Sequence, residues 1–157
     1  MATKYGVGAT KRDNSTIPSL IEQGEHRGRV RCEYDEYTLT AALTQNDVIK
    51  LMKLPAGARV HNVYVYFHAL DASAGTIDLG WEANSVDAAD ADGFMDALAV
   101  TSAGAQDMQG DKPTRPGVFK SFSPLGGETQ ISATVTHSGG LDATSGSLKV
   151  AVYYHLD

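Results

Sequence analysis

The side chains best suited to metal binding or proton transfer are the histidines, and their spacing fits no catalytic motif. The chain has five of them: His26, His61, His68, His137 and His155. His61 and His68 are seven residues apart on one predicted strand, and an odd separation on a strand places two side chains on opposite faces. His155, near the end of the sequence, is expected at the surface. We therefore predict no metal site and no cofactor.

One acidic segment partly matches a calcium-binding loop. Asp90, Asp92 and Gly93 fit three positions of an EF-hand loop, but Ala88 and Ala99 stand where two carboxylate ligands are needed. The sequence favours a solvated acidic segment at the start of a short helix, where the helix dipole accommodates acids.

A second acidic cluster offers a pair of carboxylates. Glu33 and Asp35 would share one face of a strand, as the two acids of a glycosidase do across their substrate. No aromatic residues accompany them at a clear spacing for sugar stacking, although Trp81 and several tyrosines occur elsewhere. The chain also lacks the nucleophile-elbow, phosphate-loop and dinucleotide-binding fingerprints. We predict that it has no catalytic residues and is not an enzyme.

Cys32 is the only cysteine, which excludes an internal disulfide and a multi-cysteine zinc site. Its neighbours alternate between apolar and charged residues, so we expect a half-buried strand residue. The first residues lack the apolar core of a secretion signal, and no apolar run approaches the ~20 residues of a membrane span. The sequence therefore predicts a chain made in the cytoplasm, with no membrane partner.

Charge is distributed unevenly along the chain. Residues 1–31 hold six basic and three acidic side chains, a net +3, whereas the remainder holds seven basic and sixteen acidic ones, a net −9. A basic segment on an acidic body indicates contact with an acidic surface of a partner or neighbouring subunit. Nucleic-acid binding is the alternative, but the basic residues are dispersed and the acidic body would repel phosphates. We predict no nucleic-acid partner.

Residues 1–28 read as an extended arm, and residues 29–157 as a β-sandwich domain. The arm has several glycines and little periodicity, so it is expected to become ordered only when it docks. Its apolar anchors and the basic residues that follow are the predicted partner-binding set: Ile17, Leu20, Ile21, Arg27, Arg29 and Arg31.

The rest of the chain is dominated by short alternating segments. Strands are predicted within residues 29–40, 48–54, 59–69, 76–82, 118–122, 130–136 and 148–154, with turn residues between them. Residues 84–99 are the one predicted helix, and residues 102–117 a polar loop. At 157 residues, the chain is long enough for one domain with its own core. These patterns predict an all-β, antiparallel, jelly-roll-like sandwich.

Tyrosines are concentrated on two of the predicted strands. Tyr64 and Tyr66 occupy one, and Tyr153 and Tyr154 the other. Alternation should turn about half of them outward, and exposed tyrosines suit a protein–protein interface, although the rim of a sandwich also accommodates them. The predicted contact residues of the body are Tyr64, Tyr66 and Tyr153.

The segment from Val48 to Val65 resembles a recurrent pattern in small virion proteins of tailed bacteriophages. In that pattern a strand ends in Leu-Pro-x-Gly-Ala, here Leu54-Pro-Ala-Gly-Ala58, and the next strand begins x-Val-x-x-Val. An Arg29-Val-Arg31 first strand, Thr76–Gly80, the Asp92-Gly-Phe94 segment and the terminal stretch Gly146–Tyr154 extend the likeness.

The resemblance implies a capsid decoration (cement or head-stabilising) protein located in the virion, on the capsid surface. Its expected partners are the major capsid protein and other copies of itself, as a homotrimer or homodimer at a capsid symmetry axis. Another virion component, such as a head–tail connector, tail or fibre protein, is the alternative. A carbohydrate-binding β-sandwich or a small hydrolase is a third possibility.

Overall fold

The computed structural model describes residues 29–108 and 116–156. The predicted arm, with Ile17, Leu20, Ile21 and Arg27, lies outside these residues. The described residues form eight strands: β1 Arg31–Thr38, β2 Val48–Leu54, β3 Ala58–Phe67, β4 Thr76–Trp81, β5 Asp90–Ala99, β6 Gly104–Asp107, β7 Thr129–Val135 and β8 Ser147–Leu156. In this part of the chain, no helix is long and apolar enough to cross a membrane.

Two four-stranded sheets make up the sandwich. The first has the order β1-β8-β3-β6 and the second the order β2-β7-β4-β5, and every pair is antiparallel. The first strand pairs with the last, and successive strands switch between the sheets except at the β4–β5 pair, which is the plan of a jelly roll. The structure thus confirms the predicted all-β, antiparallel, jelly-roll-like fold.

The core lies between the two sheets and follows from strand alternation. Val63 and Val65 of β3 and Val150 and Val152 of β8 point inward and are fully buried, opposite buried residues such as Ile131 of β7. Each such side chain contributes roughly 1.5–3 kcal/mol by leaving water. The core fixes which residues of each strand face outward, and those residues form the surfaces described below.

The helix predicted over residues 84–99 is wrong, because residues 90–99 form β5 and pair with β4. The pairing contains two register shifts, so Phe94 and Met95 are both buried although they are adjacent. Ala97 has a φ of +50°, which interrupts the strand further. These irregularities remove the strict alternation that marks a strand in sequence.

Two further predictions between residues 102 and 122 are wrong. Residues 104–107, predicted as loop, form the short strand β6, whose four residues carry little pattern. Residues 118–122, predicted as a strand, instead belong to a turn segment with one isolated bridge, between Arg59 and Ser121. Phe119 has a φ of +55°, a value outside the strand region.

Candidate interaction surface

The outer face of the first sheet carries four exposed tyrosines. Strand pairing places Tyr34 of β1, Ala151 of β8 and Tyr64 of β3 in one row, with Tyr153 one row before it and Tyr66 one row after it. The tyrosines are 56% (Tyr34), 46% (Tyr64), 42% (Tyr66) and 40% (Tyr153) exposed. We call Tyr34, Tyr64, Tyr66 and Tyr153 the tyrosine face.

The structure brings the three predicted body residues, Tyr64, Tyr66 and Tyr153, onto this one face. Tyr154 points the other way and is buried at 5% exposure, as alternation requires. Sequence reasoning missed Tyr34, because its strand was interpreted as half-buried. Only the pairing of β1 with β8 places Tyr34 on this face, and alternation within a single strand does not reveal which strands pair.

The small side chain of Ala151 leaves a depression in the tyrosine face. Its neighbours across the sheet are Tyr34 and Tyr64, and its outward neighbours along β8 are Tyr153 and Lys149. Cross-strand neighbours lie ~5 Å apart, and residues two apart on one strand lie roughly 6.6 Å apart, so the large side chains surround the small one. We call this feature the Ala151 depression.

An ion pair closes one side of the depression. Lys149 Nζ lies 3.3 Å from a carboxylate oxygen of Glu36, and the Tyr34 hydroxyl donates to the same carboxylate at 3.2 Å. A hydrogen bond from Ser147, followed by those from Lys149 and Tyr34, lowers the pKa of Glu36. Partial desolvation, together with the Glu36 charge, raises the pKa of Tyr34, so its hydroxyl keeps its proton and remains a donor at neutral pH.

The outer face of the second sheet is different in character. Its central positions are small or polar, with Ser132 and Thr134 on β7 and Asp78 on β4 in the outward rows. Thr136 and Thr76 hydrogen-bond side chain to side chain at 3.0 Å. Val48, at one edge, is the exposed apolar residue here, at 49%. The aromatic surface of the described residues is therefore concentrated on one side of the sandwich.

β1 forms the edge of the first sheet and extends beyond the core. Arg31, Glu33 and Asp35 lie on its inward side, in rows with buried β8 residues, yet none of them is buried. Inward-pointing charges on an edge strand oppose pairing with foreign strands. Glu33 and Asp35 share a side as predicted. Trp81, however, is 3% exposed and is not available to stack on a sugar.

Two expectations about single residues are corrected by this geometry. Cys32 is exposed rather than half-buried, because it lies in the outward row of Tyr153 and β1 is an edge strand. His155 is buried at 4% exposure rather than at the surface, and its ring packs against the His61 ring with 4.7 Å between the ring centroids. His61 Nε2 and His155 Nδ1 are in hydrogen-bond contact at 2.5 Å.

No metal centre accompanies these groups in the described residues. No three histidine, cysteine or acidic side chains there are placed to hold an ion together. Asp90 and Asp92 lie in β5 rather than in a loop. A bulge between Val60 and Asn62 breaks the alternation on which the opposite-face expectation for His61 and His68 depended.

At one end of the sandwich, Asp87 joins its own loop to the segment that contains Lys120 and Ser123. Its carboxylate accepts from Lys120 Nζ at 2.9 Å, from the Ser123 amide at 2.9 Å and from Asn84 Nδ2 at 3.2 Å. Burial by itself would raise the pKa of Asp87, but the Ser123 amide and Lys120 outweigh it and lower the pKa. The loops expose three apolar side chains that sequence reasoning missed: Val86, Phe119 and Leu125.

We expect Asp87→Ala to lower the free energy of unfolding by roughly 3 kcal/mol, because Lys120 and Ser123 would lose a charged partner in a site that is largely shielded from water. Urea unfolding at neutral pH measures this. The folded-state pKa is depressed, so the contribution is present above the unfolded pKa of ~3.9 and disappears as pH falls through the folded value.

The matched control for this prediction is Glu128→Ala. Glu128 is a loop acid that is 67% exposed and lies 3.7 Å from Lys53. Exposed ion pairs contribute ~0–1 kcal/mol, so this variant should unfold close to the wild type. An equal loss of unfolding free energy in the two variants would show that the Asp87 contacts do not hold the loops together.

Comparisons with known proteins identify the fold. A chain from the solved structure "Cyanophage Pam1 capsid asymmetric unit" is 23% identical with a TM-score of 0.60, over 83% of this chain and 86% of that chain. A chain from "Capsid of Ralstonia phage GP4" is 18% identical with a TM-score of 0.67, over 83% and 86%. No family model and no curated protein sequence matches. At these identities the likeness establishes a shared fold.

Proposed function

We propose that this chain is a non-enzymatic structural protein of a bacteriophage virion, and that it decorates the outer surface of the head. The observation that carries the proposal is the contrast between the two outer faces. One carries four exposed tyrosines, and the other presents threonine and charged side chains, among them Thr134, Lys50 and Asp78. Tyrosine is enriched at protein interfaces, so the first sheet faces protein and the second faces water.

The fold comparison supports the same proposal. The two chains compared above come from structures of phage capsids and share this jelly roll over most of their length. The catalytic alternatives gain no support from the described residues, where Trp81 is buried and Glu33 and Asp35 lie at an open sheet edge. A sugar-binding role would have to use the tyrosine face itself.

Decoration would stabilise the head by mass action. A protein that binds only the assembled lattice shifts the equilibrium toward that lattice. The proposed partners are the major capsid protein and further copies of this chain around a symmetry axis, where repeated contacts add avidity. The arm residues Ile17, Leu20, Ile21, Arg27, Arg29 and Arg31 would supply a second contact, directed at an acidic surface by the net +3 of residues 1–31.

Head binding tests the proposal directly. We expect purified chain to co-sediment with mature heads that lack it, to occupy many equivalent sites, and to raise their melting temperature. A head–tail connector would instead occupy a single vertex. Binding to a panel of glycans with no binding to heads would favour the carbohydrate alternative and contradict the proposal.

A further inference from the structure

Phe119 is an exposed aromatic residue with a backbone conformation that phenylalanine rarely adopts. Its φ is +55°, in the left-handed region, and the residue is 60% exposed. It lies in a turn that the Lys120 amide closes by donating to the Gly117 carbonyl at 3.1 Å. Glycine and asparagine are favoured at such a position, and a bulky side chain there lowers stability. Backbone strain of this kind clusters at functional sites.

The rest of the fold holds this turn in place from several directions. The Gly117 amide donates to the Gly93 carbonyl of β5 at 2.7 Å, and the Val60 amide of β3 donates to the Lys120 carbonyl at 2.8 Å. Lys120 Nζ also binds the Asp87 carboxylate at 2.9 Å. The ring is therefore presented from a fixed backbone, and a partner that buries it orders little additional chain.

Two histidine rings connect Phe119 to the tyrosine face. The ring centroids of Phe119 and His61 are 5.9 Å apart, and the rings meet edge to face at 84°. His61 in turn packs against His155. His155 lies two residues beyond Tyr153 on β8, so alternation places both on the outward side of the first sheet. The aromatic surface thus continues from the tyrosine face to the Phe119 ring at the end of β8.

Charge distinguishes among the partners that could cover this ring. Residues 32–157 have a net charge of −9, and the whole chain has −6. Loop tips that bind anionic membranes are flanked by basic residues, whereas this body would be repelled. A second copy carries the same net charge, which opposes self-contact. An apolar pocket on a different protein meets neither obstacle, and aromatic side chains in such pockets dominate interface energetics.

We propose that Phe119 is an anchor of the head-binding surface and inserts into an apolar pocket of a capsid subunit, next to the area that the tyrosine face covers. The inference rests on the proposed function and adds one named contact residue to it. Docking would bury the exposed part of the ring, while His61 continues to support its other side.

Replacing Phe119 with asparagine separates this role from a structural one. Asparagine tolerates the left-handed backbone, so the urea midpoint of Phe119→Asn should equal or exceed that of the wild type. Its binding to mature heads that lack the chain should weaken at least ~10-fold, because the anchor is lost. A residue that served only the fold would instead lower the midpoint when replaced.

The matched control is Ala97→Asn, on β5 of the second sheet. Ala97 is also exposed and has a positive φ, +50°, so the substitution relieves the same kind of strain without removing an aromatic ring. This variant should bind heads as tightly as the wild type. A loss of binding in both variants would overturn the inference, because it would not depend on the ring.

The remaining outcomes identify which idea fails. If Phe119→Asn binds heads like the wild type, or if its urea midpoint falls, the inference is overturned and the proposed function stands. Self-association of the wild type, or flotation with phosphatidylglycerol vesicles, that Phe119→Asn abolishes would assign the ring to another partner and also overturn it. A wild type that does not bind heads would contradict the proposed function and the inference together.

Discussion

A chain with both Tyr64 and Tyr66 replaced by serine should fold normally and leave heads nearly bare. Central aromatic residues of an interface each contribute at least about 2 kcal/mol to binding, so we expect the pair to weaken head binding on the order of 100-fold. Both side chains point away from the core and are 46% and 42% exposed, so unfolding should change by less than ~1 kcal/mol. Co-sedimentation with undecorated heads measures the first effect and urea unfolding the second.

The opposite side of the sandwich provides the control. Val48→Ser with Thr134→Ser changes two cross-strand neighbours on the outer face of the second sheet, and Val48 is 49% exposed, much like Tyr64. This variant should occupy heads as the wild type does. If both double variants bound heads normally, the tyrosine face would not be the surface that meets the virion. If both lost binding, the second sheet would not be the solvent-facing side.

Alternation predicted the strands whose two faces have clearly different surroundings. β2, β3, β7 and β8 were placed within one or two residues, because their inward residues are apolar and regularly spaced. Burial was less predictable. β1 alternates in sequence, but its position at a sheet edge leaves Cys32 and Tyr34 exposed, and only the neighbouring strands determine that.

For the candidate surface, too, alternation within a strand predicted some features, and others depended on which strands pair. The outward orientation of Tyr64, Tyr66 and Tyr153 followed from local alternation. The depression did not, because it requires β1 and β3 to flank β8, and pairing between distant segments is not encoded in the period of any one strand. Tyr34 and Ala151 meet only because the first strand pairs with the last.

A single methyl group at Gly80 should destabilise the fold more than any exposed substitution discussed above. A Cβ at Gly80 would lie 1.9 Å from the backbone oxygen of Asp90 and 2.6 Å from the carbonyl carbon of Ala91. Backbone atoms cannot turn aside as a flexible side chain can, so β5 would have to separate from β4. We expect Gly80→Ala to lower the free energy of unfolding by about 3 kcal/mol or more, measured in urea.

Gly104→Ala is the matched control, a glycine in β6 whose added Cβ would meet the tip of the Phe67 ring at 3.3 Å. The ring can shift by a few tenths of an ångström, so this change should cost less than ~1 kcal/mol. The comparison also tests why β5 was mistaken for a helix. The strand crosses so closely over Gly80 that its pairing is bulged, and the bulges remove the sequence period. A Gly80→Ala chain as stable as the wild type would mean that β5 does not lie against β4 in this way.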